Sequence, residues 1–280
     1  MFTLSGFADE ISDELEEQLG VLQDLDIDYL ELRGVWGKNV LDLTDDEVQR
    51  IKDELDRRGM GVSAIGSPIG KIDIDDPFAP HLERFSRAVE LAEFFDCRYI
   101  RMFSFFVPEG EADAHREAVM ERLKTFLDVV EGRPVVLLHE NERHIYGDIP
   151  RRCKDIFETC ASPQLRMTFD PANFVMCGVH PFSEGYEPLK EYISYLHIKD
   201  GFMEEKQVVP AGEGDGESAP GMDGRQWTRR EVRGHWSFWA LMPGVLAPSF
   251  IGTVAFFHQV HDSEVREWSL VTMAAGYPVY

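Results

Sequence analysis

Short apolar segments alternate with longer segments of helical spacing along the first 200 residues. The short segments are bounded by turn-forming residues, and in the longer ones apolar residues recur every three or four positions. This alternation is typical of repeated βα units, whose strands form a parallel sheet. The predicted strands are Phe2–Phe7, Asp28–Arg33, Gly61–Gly66, Arg98–Phe103, Pro134–Glu140, Leu165–Asp170 and Ser194–Lys199.

Four helices are predicted between the first five strands. Thr44 and Glu47 are spaced as a capping box at the start of the second helix, and Gly59 stands where that helix should end. The apolar positions that mark the four helices are Leu15, Leu19 and Leu22; Val48, Ile51 and Leu55; Leu82, Phe85 and Val89; and Val119, Leu123, Phe126 and Val130.

Trp236–Leu241 is the best candidate for an eighth strand. It would complete a (β/α)8 TIM barrel, an α/β fold, with an irregular last βα unit. The alternative is an open doubly wound sheet, which is expected to carry a glycine-rich phosphate turn after its first strand. Here that strand runs into Asp9 and Glu10, whose carboxylates would repel a pyrophosphate. The sequence therefore favours the barrel.

The chain carries 51 acidic and 28 basic residues among its 280, a formal charge of −23. That charge argues against a nucleic-acid partner, because such binding depends on Lys and Arg that neutralise phosphates. It also argues against docking to an anionic membrane. Salt screens the self-repulsion of such a chain, so we expect a salt-tolerant or halophilic source.

The four cysteines form no CxxC pair, and a chain of this length does not need disulfides for stability. The first ten residues lack the features of a secretion signal, and no segment has 18 consecutive apolar residues. We therefore expect a reduced, cytoplasmic protein. A homo-oligomer is compatible with the sequence.

Barrel enzymes carry their catalytic groups at the carboxyl ends of the strands. Three consecutive predicted strands end at Glu140, at Asp170 and near His197. Two carboxylates and an imidazole at one rim suit a divalent cation such as Mn²⁺, Mg²⁺, Co²⁺ or Zn²⁺. Alternatively, each acid caps the following helix and His197 is a core residue. For three consecutive strand ends, we favour the metal.

Such a metal would stabilise an enediolate while a carboxylate moves a proton on the adjacent carbon. Lys199 follows His197 by two positions, so both side chains should leave the same face of the strand. We expect Lys199 to contact a substrate oxygen, or else to pair with a nearby carboxylate. Arg101 and Glu31 are further candidates for substrate binding, whereas alternation points His139 away from the site.

A glycine-rich segment, residues 209–216, follows the seventh predicted strand. In barrels this region often holds phosphate through backbone N–H groups. Glu213 and Asp215 make an anion less suitable here. We therefore expect an uncharged sugar or polyol as the small-molecule substrate.

From about residue 2 to residue 216, the chain resembles the xylose-isomerase-like barrels, which include sugar isomerases and epimerases, inosose dehydratase and the apurinic endonuclease IV group. The motifs that carry the resemblance are Gly6-Phe7-Ala8-Asp9-Glu10, Ile65-Gly66-Ser67-Pro68-Ile69-Gly70-Lys71, Glu140-Asn141, Phe169-Asp170-Pro171-Ala172-Asn173, His197-Ile198-Lys199-Asp200 and Pro210-Ala211-Gly212-Glu213-Gly214-Asp215-Gly216.

The resemblance implies a metal bound by Glu140, Asp170 and His197, with Glu140 also moving the proton. Members often carry His where this chain has Asn173, which we expect to contact substrate. The superfamily's fourth ligand is a Glu at the end of strand eight. The best alignment puts Met242 there, and a thioether is a poor ligand for a hard cation and cannot move protons.

The composition changes near residue 216. Residues 1–215 carry a net charge of −22 and residues 216–280 a net charge of −1, and four of the five Trp lie in the later segment. Either the last βα unit, residues 217–280, is divergent within a single domain of residues 1–280, or the reading frame of the gene changes there. A Leu-Glu-Pro segment in another frame of the nucleotide sequence would identify a frameshift.

The leading hypothesis is a metal-dependent sugar or polyol isomerase or epimerase, or a related lyase. A DNA-repair endonuclease of the same barrel type would need a cluster rich in His and a basic groove, so Asn173 and the charge argue against it. A non-catalytic barrel that serves as a binding or regulatory protein is the third hypothesis, and Met242 is its main support.

Overall fold

Seven parallel strands form one sheet, in which the strands pair in chain order. The structure is a computed structural model, and it describes residues 3–210 and 214–215. All seven predicted strands are confirmed, and the fold class is α/β. The strands are β1 (Ser5–Gly6), β2 (Tyr29–Leu32), β3 (Gly61–Ile65), β4 (Tyr99–Met102), β5 (Val136–Glu140), β6 (Leu165–Phe169) and β7 (Ile193–Leu196).

Helices follow the strands, as expected for repeated βα units. They are α1 (Leu15–Asp24), α2 (Asp45–Arg58), α3 (Phe78–Phe94), α4 (Ala112–Val130), α5 (Pro150–Cys160), α6 (Pro171–Met176) and α7 (Glu187–Leu189). Short 3-10 helices span Ala8–Glu10 and Val40–Asp42, and a π-helix spans Pro181–Tyr186. Two hairpins pair Gly34–Val35 with Lys38–Asn39 and Asp200–Phe202 with Gln207–Val209.

The predicted capping of α2 is confirmed. The Thr44 hydroxyl accepts a hydrogen bond from the backbone N–H of Glu47, whose carboxylate accepts one from the backbone N–H of Thr44. Gly59 ends the helix with φ +68°, a left-handed conformation that glycine adopts without steric penalty. The α2 apolar residues Val48, Ile51 and Leu55 are buried, as their spacing predicts.

The sheet curls around a polar interior. The Tyr195 hydroxyl on β7 lies 2.6 Å from Ser5 Oγ on β1 and 3.0 Å from Ser63 Oγ on β3. Strands at opposite ends of a seven-stranded sheet can make such contacts only if the sheet bends back on itself. This curvature brings the carboxyl ends of distant strands around one centre.

One compact unit spans Leu4–Glu217. Within the described residues, no helix combines the length and apolar character needed to cross a membrane. The predicted eighth strand, Trp236–Leu241, and Met242 lie outside the described residues, as does the rest of the segment whose composition differs. The single-domain organisation therefore stays a prediction.

Candidate active site

Glu140, Asp170 and His197 converge at the carboxyl ends of β5, β6 and β7. Potential ligand atoms of the three lie within 4.8 Å of one another, and all three residues are buried. His197 Nδ1 is 2.9 Å from Glu140 Oε1 and 3.7 Å from Asp170 Oδ2. The structure thus brings together the three residues that the sequence predicts as metal ligands.

His197 and Lys199 follow β7 rather than lying within it, because this strand ends at Leu196 and not at Lys199 as predicted. The backbone N–H of His197 still donates to the Phe169 carbonyl, which keeps the chain alongside β6. Lys199 Nζ lies 2.7 Å from Asp170 Oδ2. Both side chains therefore reach the same carboxylate, as the two-residue spacing predicts.

The two carboxylate oxygens of Asp170 have different surroundings. Oδ1 accepts a hydrogen bond from the Asn173 backbone N–H and caps α6. Oδ2 is buried and makes no hydrogen bond of good geometry, although the charged groups of Lys199 and His197 lie near it. The capping role therefore accounts for one oxygen of Asp170 and leaves the other facing the cluster.

Asn141 and Asn173 link the segments that carry Glu140 and Asp170. The Asn141 amide donates to the Asp170 carbonyl at 2.8 Å and accepts from the Asp170 N–H at 2.9 Å. Asn173 Nδ2 donates to the Asn141 carbonyl at 2.8 Å and to Glu140 Oε1 at 3.4 Å. Asn141 has no role predicted from the sequence, although its position directly after Glu140 is a usable signal.

Arg101 lies on the other side of Glu140. Its NH1 is 3.3 Å from Glu140 Oε2, and its NH2 donates to the Gly66 carbonyl. The guanidinium also lies 5.1 Å from the ring centroids of both Phe7 and Phe103, within the range of cation–π attraction. Neither aromatic residue is predicted from the sequence to be part of the site.

Glu31 on β2 completes the cluster, with Oε1 3.4 Å from His197 Nε2. The structure therefore brings all the predicted site residues to one end of the sheet: Glu31, Arg101, Glu140, Asp170, Asn173, His197 and Lys199. His139 points the other way, as predicted, toward Ser104 and the Phe157 ring of α5.

Opposite charges set the protonation of this cluster. Burial raises the pKa of Glu140, but His197 and Arg101 outweigh it and hold that pKa below its ordinary value. Burial lowers the pKa of His197, but Glu140 and Asp170 outweigh it and raise that pKa well above the ordinary value. Burial raises the pKa of Asp170. Without a metal, His197 is therefore a cation among carboxylates.

These residues fit a divalent cation. Glu140 Oε2 and Asp170 Oδ2 are buried and make no hydrogen bond of good geometry, which a buried carboxylate oxygen normally has. Each makes ion-pair contacts instead, the first with Arg101 and the second with Lys199 and His197. Carboxylate oxygens together with an imidazole nitrogen suit Mn²⁺, Mg²⁺, Co²⁺ or Zn²⁺. A cation there would take over the charge balance that protonated His197 now supplies, so metal binding should release a proton.

A family model for the xylose isomerase-like TIM barrel matches residues 19–273, most of the chain. The chain belongs to this family. The resemblance on which the predicted ligands rest is thus confirmed at the level of the family. No curated protein matches the chain.

Solved structures of the xylose isomerase-like barrels match at low sequence identity, so they show the fold alone. One is a probable 3-DHS dehydratase involved in petrobactin synthesis from Bacillus anthracis (TM-score 0.63, 14% identity, 88% of this chain and 99% of that one). Another is a D-tagatose 3-epimerase-like protein (TM-score 0.61, 17% identity, 77% of this chain and 82% of that one). A third, a xylose isomerase-like TIM barrel protein from Mycobacterium smegmatis, is in complex with magnesium (TM-score 0.55, 18% identity, 71% of this chain and 72% of that one).

Proposed function

We propose that the protein is a metal-dependent isomerase or epimerase of a sugar or polyol, and that it transfers a proton at the carbon next to a carbonyl. The observation that carries this proposal is the buried cluster of Glu140, Asp170 and His197, in which Glu140 Oε2 and Asp170 Oδ2 make ion-pair contacts but no hydrogen bond of good geometry. The epimerase-like structure and the magnesium complex among the similar folds support it.

A divalent ion held by Glu140, Asp170 and His197 would polarise the substrate carbonyl and stabilise the enediolate. Glu140 is kept ionised by Arg101 and His197, so it can accept the proton from the adjacent carbon. Lys199 Nζ lies 2.7 Å from Asp170 Oδ2 and would donate a hydrogen bond to a substrate oxygen. Glu140, Asp170 and His197 are buried, and low exposure to water strengthens the charge interactions among them.

Glu140 is the proposed proton carrier on one side of the substrate. A true epimerase needs a second group on the opposite face, and the position aligned with the usual second Glu, Met242, lies outside the described residues. Proton transfer on one face still permits isomerisation or a dehydration. The proposed substrate class is therefore sugars and polyols with a carbonyl next to a hydroxyl-bearing carbon, such as ketoses and inososes.

The test begins with the metal content of the purified protein. We expect one divalent ion per chain in the wild type, and at least a tenfold loss in Glu140→Gln and His197→Ala, because each removes a proposed ligand. Glu142→Gln is the matched control, since it removes a carboxylate two residues from Glu140 that pairs with Lys71 instead. A wild-type protein without stoichiometric metal in any salt condition would contradict the proposal.

The second step measures the loss of a hydrogen-isotope label from the carbon next to the carbonyl, in a panel of ketoses and inososes. The metal-loaded wild type should release the label, and Glu140→Gln, assayed at a metal concentration that saturates the variant, should release it about 10²–10⁴ times more slowly, the usual contribution of a general base. Metal binding without label release from any substrate would favour the non-catalytic barrel instead.

A further inference from the structure

The two ring nitrogens of His197 face different carboxylates. Nδ1 points toward the proposed metal ligands, 2.9 Å from Glu140 Oε1 and 3.7 Å from Asp170 Oδ2. Nε2 points the opposite way, 3.4 Å from Oε1 of Glu31. The His197 and Glu31 side chains are only 7% and 4% exposed. Glu31 is therefore a buried carboxylate on the far side of the ring from the other two.

Aromatic neighbours fix the plane of the His197 ring. Phe7 meets it edge to face, with the centroids 4.9 Å apart, and Tyr195 meets it at 89° with the centroids 5.8 Å apart. A ring flip that exchanged Nδ1 and Nε2 would break the contacts with both Glu31 and Glu140. The orientation of His197 is therefore set by its surroundings.

The β2–β3 ladder is irregular at Glu31. The pairing shifts register between Leu30 and Glu31, and the extra residue on β3 is Ser63. Such bulges redirect side chains and occur often beside active sites. Ser63 in turn contacts the hydroxyl of Tyr195, the residue that packs on His197. The local strand geometry thus supports the placement of Glu31 opposite Nε2 of His197.

We propose that Glu31 is a positioning residue: it accepts a hydrogen bond from His197 Nε2–H and so leaves the Nδ1 lone pair directed at a divalent cation. A histidine that binds a metal through one nitrogen keeps a proton on the other, and a carboxylate partner there fixes the tautomer. The inference rests on the proposed function in that the cluster holds a metal. It differs from the substrate contact that the sequence predicts for Glu31.

The first test is calorimetric titration of the metal-free full chain with Co²⁺. Glu31→Ala should weaken binding about 10–100-fold, the usual effect of losing a partner that orients a ligand. Glu31→Gln should weaken it less, because the amide oxygen can still accept the Nε2 hydrogen bond. Glu142→Gln, which removes a like charge near the site without contacting His197, should leave the affinity within about threefold of wild type.

The second test reads the tautomer directly. In two-bond ¹H–¹⁵N spectra of the Zn²⁺-loaded, ¹⁵N-labelled protein, His197 should show a protonated Nε2 and a metal-bound Nδ1. His197→Ala identifies the signal by its disappearance. If Glu31→Ala only lowers stability, the molecules that remain folded still bind the metal through Nδ1. If Glu31 positions the ring, the variant should bind the metal through Nδ1 in some molecules and through Nε2 in others.

Zinc bound through Nε2 in the wild type, or wild-type Co²⁺ affinity in Glu31→Ala, would overturn the assignment of Glu31. If Glu31→Ala does not fold, Glu31→Gln and the wild-type spectrum still decide the question. A wild-type chain that binds no Co²⁺ would overturn both this inference and the metal dependence of the proposed function. If the Glu31 variants bind Co²⁺ as expected but the wild type releases label from no ketose or inosose, only the proposed reaction is overturned.

Discussion

His139 and His197 are both buried, but their neighbours leave the first neutral and make the second a cation. His139 faces Ser104 and the Phe157 ring, so burial dominates and lowers its pKa to about 4. His197 lies among three carboxylates, which raise its pKa well above the ordinary value despite burial. The residues that surround each ring, rather than its depth, therefore decide which histidine carries charge at neutral pH.

The neutral His139 should make the protein sensitive to acid. Its pKa is about 4 in the folded chain and 6.5 ordinarily, so the unfolded chain binds the proton first. Stability is complete above pH 6.5 and falls as the pH drops toward 4. Between pH 7 and pH 5 this group should remove about 2 kcal/mol from the free energy of unfolding. Urea unfolding at the two pH values measures the loss.

His139→Gln keeps a neutral polar group at this position but does not titrate. The difference in unfolding free energy between pH 7 and pH 5 should shrink by about 2 kcal/mol in this variant, by the same linkage. The buried His81, whose pKa is also lowered to about 4, should retain its own share of the pH dependence. An unchanged difference between wild type and His139→Gln would show that His139 is not the group responsible.

The proposed ligands could be predicted from the sequence because each one follows a recognisable strand. Glu140, Asp170 and His197 needed no knowledge of packing, since parallel strands end at the same rim. Phe7 and Phe103 could not be assigned in this way. Their roles depend on which side chains lie across from them, and that is decided by the curvature and register of the sheet.

At the scale of elements, the periodicity predicts all seven strands of the parallel sheet and helices α1–α4, but not the two short hairpins. The errors are at the ends, as with Phe2–Phe7 against the observed Ser5–Gly6. Apolar residues continue beyond the hydrogen-bonded ladder there, and alternation cannot show where pairing stops. Helix α6 is too short, at six residues, to display a helical period.

The segment after β3 is held against the segment after β4 at Gly70. Gly70 has φ +87°, and a Cβ there would lie 2.0 Å from the Phe103 carbonyl oxygen. Gly110 has a similar φ of +80° with open space around it. We expect Gly110→Ala to lower the free energy of unfolding by about 1–2 kcal/mol, the backbone penalty alone.

Gly70→Ala should lower the free energy of unfolding by at least about 3 kcal/mol, because it adds a backbone collision to the same penalty. It should also disturb Phe103, which packs against Arg101 and under Lys71. Urea unfolding of both glycine variants measures the difference. Equal losses of unfolding free energy in the two variants would mean that the segments after β3 and β4 can move apart at Gly70 without strain.

At the scale of the whole molecule, the negative charge is concentrated in residues 1–215, which carry −22. Most of the ion pairs in the described residues lie at the surface, where each contributes little. They do not offset the general repulsion among the remaining carboxylates. Folding therefore gathers a large net charge into a small volume.

Added salt should stabilise the protein by screening this repulsion. We expect the thermal midpoint to rise between dilute buffer and molar KCl, by about 2–4 °C for each kcal/mol gained. Scanning calorimetry measures the midpoint, and the same rise in NaCl would separate screening from a specific effect of potassium. A midpoint that is unchanged or lower in molar KCl would contradict the expected salt tolerance.

The contacts inside the sheet join residues that are far apart in the chain. Ser5 and Tyr195 are 190 positions apart, and Glu31 and His197 are 166 positions apart. During synthesis, Glu31 and Glu140 emerge long before the imidazole that links them, and contacts of such separation form slowly. The proposed metal site should therefore be among the last parts of the sheet to assemble, and metal uptake during refolding should report when β7 docks.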